Sequence, residues 1–170
     1  MTMSISRVAA LAALGLLAGC DGAPPATNST EAATPEALKP GLYQADWEVK
    51  TIRSTDKLTP STKLKVGDKG SASSCIAPGG EVDPAMFAAP GETCTASNPY
   101  MGTGRLSLTL RCSVAKGLVN GSVESLFKTD GETKGQISEA SAFSGGGDYM
   151  MMREFSARRI GECSAPAKKA

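Results

Sequence analysis

The sequence predicts an all-β domain, an antiparallel meander that is barrel-like or forms a sandwich, with one short helix and two disulfides. Three observations predict it. Apolar and polar residues alternate at period two in several segments. Turn-forming Gly, Asn, Asp and Pro separate those segments at short intervals. Four of the five cysteines, Cys75, Cys94, Cys112 and Cys163, are spread through the same stretch as an even set.

Residues 41–51 open the domain. Tyr43, Ala45, Trp47 and Val49 alternate with Gln44, Asp46, Glu48 and Lys50, as a strand with one buried face requires. A shorter alternation over 63–66 reads as a brief strand, and 71–76 as another that carries Cys75. Asp83-Pro84 resembles an N-cap followed by proline at the first helical position, so a short helix is expected over 84–89, ended by Pro90-Gly91. After Cys94, turns are expected at Asn98-Pro99 and at Gly102-Thr103-Gly104. The clearest strand follows. Leu106, Leu108, Leu110, Cys112 and Val114 share one face, while Arg105, Ser107, Thr109 and Arg111 share the other. Val119, Val123 and Phe127 mark the next inner face, and Asp130-Gly131 marks a hairpin. The return strand directs Ile137 and Phe143 inward with Glu139 between them. A carboxylate there predicts a strand end or bulge that turns it to solvent. Gly145-Gly146-Gly147 is a turn, and 149–160 is a last strand whose alternation blurs at Met150-Met151-Met152.

The N-terminus carries an address. Arg7 precedes an apolar run over 8–17, too short to span a membrane as a helix. A basic start, a short apolar stretch and small residues after it make a secretory signal. The run ends Leu17-Ala18-Gly19-Cys20, which is similar to the lipobox of bacterial lipoproteins. Residues 1–19 are thus expected to be a signal peptide and Cys20 to be acylated, a palmitate-bearing anchor. Asp21 after it favours the inner membrane, facing the periplasm. Residues 20–39 hold almost nothing large and apolar and read as a disordered tether. The domain is expected over 40–164, with 165–170 as a flexible tail. Without residues 1–19 the side chains carry 17 basic and 17 acidic groups, because Arg7 leaves the 18 and 17 of the full chain. A balanced chain makes no electrostatic case for nucleic acid.

Four cysteines in an oxidising compartment imply two disulfides. Three pairings exist. A hairpin that sets Cys94 and Cys112 on neighbouring strands favours that pair and leaves Cys75 with Cys163. A zinc site would use close C-x-x-C pairs, which are absent.

Pro40-Gly41-Leu42-Tyr43 with Trp47-Glu48-Val49, a cysteine before a short helical insert, a cysteine pair around a hairpin, and the ending Ala157-Arg158-Arg159-Ile160-Gly161-Glu162-Cys163 resemble one family. It is the bacterial domain of unknown function 3617, typically small exported proteobacterial proteins. The resemblance spans about residues 40–163. It implies the fold and the compartment, and it carries over no activity and no site residue.

The chain has no histidine. That excludes Ser-His-Asp and Cys-His nucleophiles, histidine-ligated zinc or haem, and a histidine pH switch. Ser54-Thr55-Asp56-Lys57 fits S-x-x-K, but it lies in a polar stretch rather than at a helix start. Paired carboxylates could hydrolyse glycosides, but the alternation puts Glu48 and Glu124 outward. A methionine triplet on a strand points to both faces, which argues against a single copper site. Arg158 and Arg159 likewise diverge. No metal, no cofactor and no catalytic set is expected. The expected function is a non-enzymatic interaction module of an envelope lipoprotein, contacting another envelope protein or the cell wall. The alternative is a binding protein for a small apolar or amphipathic ligand in a β-barrel cavity.

Overall fold

The computed structural model describes residues 37–128 and 131–163. The expected signal peptide, Cys20, most of the tether, Asp130 and the tail lie outside the described residues. Seven strands form: β1 Gly41–Ser54, β2 Lys69–Ile76, β3 Thr93–Gly102, β4 Arg105–Val114, β5 Gly117–Phe127, β6 Thr133–Phe143 and β7 Tyr149–Gly161. All pair antiparallel in one sheet of order β2-β1-β7-β6-β5-β4-β3.

That order makes a curled half-barrel rather than a sandwich. β2 and β3 are neighbours in sequence yet form the two edges of the sheet. Residues 77–92 join them and pack against both, so the sheet must curl to bring its edges to this one segment. Within it sits a 3₁₀ turn, Pro84–Met86, capped by Asp83, whose Oδ1 accepts the Ala85 N–H at 2.9 Å. The cap and proline were legible, but the expected helix over 84–89 shrinks to this turn. Met86 and Phe87 are consecutive and both fully buried, which a tight turn allows. The Ala89 N–H goes to Glu92 Oε2 at 2.9 Å, and Pro90 cannot extend a helix.

Period-two patterning sets the core. Tyr43, Ala45, Trp47 and Val49 of β1 meet Leu106, Leu108, Leu110 and Cys112 of β4, Val119, Val123 and Phe127 of β5, and Ile137 and Phe143 of β6. On β7 the alternation is regular after all: Met151 is buried, Met150 exposed and Met152 half-buried. Trp47 sits opposite Gly70 of β2, and its indole lies where a Gly70 side chain would stand. Leu38 is buried in the core and donates its N–H to Met101 Sδ at 3.4 Å, so the packed domain reaches back into what reads as tether.

Two expected elements are corrected. Residues 63–66 form no strand. Leu64 does pack on the core and Val66 does point to solvent, but the segment lies in the loop between β1 and β2 with no ladder partner. Asn98-Pro99 is not a turn. β3 runs through it with a register shift between Ser97 and Tyr100 and Asn98 at φ +51°. An edge strand tolerates a proline there because no second neighbour needs its N–H.

Candidate functional site

Each of the four described cysteines meets the expected partner. Cys94 and Cys112 sit directly opposite on β3 and β4, and Cys75 at the end of β2 bonds Cys163 just past β7. Glu92, Cys94 and Cys112 place three donor atoms within 4.8 Å of one another. Two of those sulfurs are spent on each other, so no thiolate is left to bind metal.

Glu139 does not turn to solvent. β6 runs without a bulge at this point, and the carboxylate enters the core at 2 % exposure. Arg153, wholly buried on β7, accounts for it. Its Nε donates to Glu139 Oε2 at 3.2 Å, and its Nη2 donates to Glu139 Oε1 and, at 2.7 Å, to the Phe87 carbonyl. The guanidinium carbon lies 5.2 Å from the centre of the Trp47 ring, a desolvated cation–π contact. Gly121 of β5 stands opposite Glu139, and a Cβ there would come within 3.2 Å of the Glu139 Cγ. Burial pushes the Glu139 carboxyl up to about 7 against the pull of Arg153. The sequence carried a signal for this pair: Arg153 shares the parity of Tyr149, Met151, Phe155 and Ala157, so two opposite charges point inward on neighbouring strands.

The remaining predicted groups are structural. Ser54 ends β1, and Asp56 works as a turn clamp rather than in an S-x-x-K site. Its Oδ2 accepts the N–H groups of Asp148 (3.0 Å) and Gly147 (2.6 Å), and its Oδ1 accepts that of Leu58 (2.9 Å). Those bonds, the one from Asp148 foremost, hold its carboxyl down at about 2. Arg158 reaches Asp46 on the outer face, while Arg159 donates to the Pro40 carbonyl and pairs with Glu162. They diverge as strand geometry requires.

The outer face of the sheet holds an open groove of about 1080 Å³ that crosses six strands, from β2 to β4. Its floor follows one row of the ladder: Gly70, Trp47, Phe155, Gly135 and Ser125. Four carboxylates (Asp46, Glu48, Glu124, Glu154) and four bases (Lys50, Lys69, Arg105, Lys134) line it. Most are cross-paired: Lys50 with Glu48 and Glu154, Lys69 with Glu48, Arg105 with Glu124. A hydrogen bond from Gln44 holds Asp46 below the usual carboxylate range, and one from Lys50 does so for Glu48. These acids stay ionised, the opposite of what a general acid needs. Leu126 stands in the groove with 69 % of its surface exposed.

No curated protein and no solved structure matches the chain. Residues 38–163 match the family described as "Protein of unknown function (DUF3617)", which starts at the buried Leu38 and ends at the bridged Cys163. That stretch takes in all seven strands and both disulfides, and the chain belongs to this family.

Proposed function

We propose that this chain is an exported lipoprotein, anchored at Cys20 to the periplasmic face of the inner membrane, whose β domain is a non-enzymatic interaction module. The observation that carries the module reading is the outer groove. It crosses six strands of one rigid sheet, so a partner meets a preformed surface. Its ion pairs are solvent-exposed and worth only about 0–1 kcal/mol each, so a partner re-pairs them at little cost. Leu126 supplies an apolar contact among them. The groove's charges balance, which favours a mixed-charge protein or cell-wall surface over nucleic acid.

The anchor is tested by labelling cells with a palmitate analogue. Label should appear on the wild-type chain and vanish in Cys20→Ser; label that survives the change overturns the anchor. The groove is tested by placing a photo-crosslinking amino acid at position 126 or 136 in living cells. A discrete adduct from these positions, lost when Arg105 and Lys134 are reversed to Glu, supports the module. Crosslinks no stronger than from exposed Val66, outside the groove, overturn it.

A further inference from the structure

Residues 81–90 close the seam between the edge strands β2 and β3. Glycines in left-handed backbone flank the segment on both sides: Gly79 (φ +99°) and Gly80 (φ +85°) before it, Gly91 (φ +87°) after it. Such positions absorb large backbone rotations. The segment fills the interior with Met86 and Phe87, and the Phe87 ring lies edge-on to Phe155 at 5.3 Å. At its start a backbone bridge pairs Val82 with Ile76 of β2, and farther along a side chain of the barrel wall reaches into it, from Arg153 Nη2 to the Phe87 carbonyl.

Arg153 is built for more than that bond. Its Nε and Nη2 face Glu139, so its Nη1 and the outer N–H of Nη2 form a second fork, directed at the segment. Nη2 spends that hydrogen on Phe87, and Nη1 has no acceptor although it is buried. When Phe87 withdraws, both N–H groups become free together and side by side, the geometry that grips a carboxylate with two bonds. The space released by Phe87 and Met86 is apolar.

We propose that the half-barrel interior is a closed site for the carboxylate of an amphipathic single-chain acid, with residues 81–90 as its flap and Arg153 as its recognition group. The ligand's carboxylate takes the place of the Phe87 carbonyl, and its chain takes the place of the Phe87 and Met86 side chains. Two carboxylates then share one guanidinium. Above pH 7, where Glu139 is ionised, binding therefore takes up as much as one proton, which Glu139 accepts readily because burial already favours its neutral form. The other titratable groups that act on Glu139 and its surroundings are Glu92 and Tyr149, and neither adds positive charge. This proposal is independent of the outer groove.

The test is native mass spectrometry of the full chain with laurate and with dodecanol, which share a chain length and differ in the headgroup. Laurate should bind one to one and saturate, about tenfold or more tighter than dodecanol, as a charge-assisted double bond implies. Its affinity should rise between pH 8 and pH 6, where laurate itself stays ionised. Phe87→Ala should tighten both ligands by loosening the flap. The double variant Glu139→Gln/Arg153→Met should keep dodecanol and lose the preference for laurate. Failure of laurate to saturate at either pH, equal affinity for the two ligands in the wild type, or an acid preference that survives the double variant overturns the proposal. The headgroup comparison uses the wild-type chain, so it stands even where a variant folds poorly.

Discussion

Replacing Arg153 with methionine removes the partner of a carboxylate that is 2 % exposed and keeps most of the side chain's bulk. The structure sets the size of the loss. Both hydrogen bonds to Glu139 disappear, as do the bond to the Phe87 carbonyl and the contact with Trp47. Breaking a buried ion pair from one side costs about 3–5 kcal/mol, because the orphaned charge stays desolvated. That is a large share of the roughly 5–15 kcal/mol that holds a domain of this size together. It corresponds to a fall of roughly 10–20 °C in melting temperature. Adding Glu139→Gln should restore much of it, since the double variant buries no charge. The acid arm has a definite sign. The Glu139 carboxyl already stands at about 7 in the folded wild type, against an ordinary 4.5, so its stabilising contribution is complete below about pH 4.5 and is lost as pH rises towards 7. Without Arg153 the folded value moves higher still, so the single variant should recover stability on acidification from pH 8 to pH 5. Urea unfolding of wild type, Arg153→Met and the double variant at both pH values measures all of this. A loss under 1 kcal/mol for the single variant at pH 8, or a double variant no better than the single one, would refute a desolvated pair at this position.

Gly121→Val should destabilise by about 1–3 kcal/mol through overpacking, since even its Cβ would stand 3.0 Å from the Ser138 carbonyl and 3.2 Å from the Glu139 Cγ; the same change in a Glu139→Ala background should cost measurably less in urea. Asp56→Ala should speed hydrogen exchange at the Gly147 and Asp148 amides by an order of magnitude or more, with β4 and β5 amides unchanged. In the wild type those two amides should keep their protection as pH falls through 3.8 and lose it towards 2, because the carboxyl's lowered value keeps it ionised over that window. Alkylation of the unreduced, unfolded chain followed by peptide mapping should leave Cys75, Cys94, Cys112 and Cys163 unmodified; stoichiometric label on any of the four refutes two bridges.

The strands were legible wherever one face is buried and the other wet, because a strand then writes its own period into the sequence. β4 carries that pattern along its length and β1 carries it from Tyr43 to Lys50, whereas β5 turns Ser125 inward and Leu126 outward. The cysteine pairing was legible for the same reason. The parity that turns Cys112 inward puts it on the face of Leu110, and the hairpin leaves Cys94 as its neighbour. Local chemistry marked the Asp83-Pro84 cap and the triple-glycine turn. It could not set the length of the turn that follows the cap, which depends on two consecutive side chains fitting one interior. Nor could it tell the alternation of 63–66 from a strand's, since only a hydrogen-bonded neighbour makes the difference.

Glu139 shows where the two levels part. Its parity said inward and its charge said outward, and one residue in isolation cannot decide between them. The decision came from β7 lying beside β6, which brings Arg153 to a carboxylate 14 positions earlier, and from Gly121 leaving room on the other side. Sheet order likewise belongs to the tertiary level: β1 pairs with β7 across the whole length of the domain, and β2 and β3, adjacent in sequence, end up as opposite edges. Most inward faces and the turns at Gly102-Thr103-Gly104 and Gly145-Gly146-Gly147 were written locally, because burial and turn geometry act over a few residues. Which inward residues meet, and what closes the seam they leave, was decided by contacts between segments far apart in the chain, which no local period records.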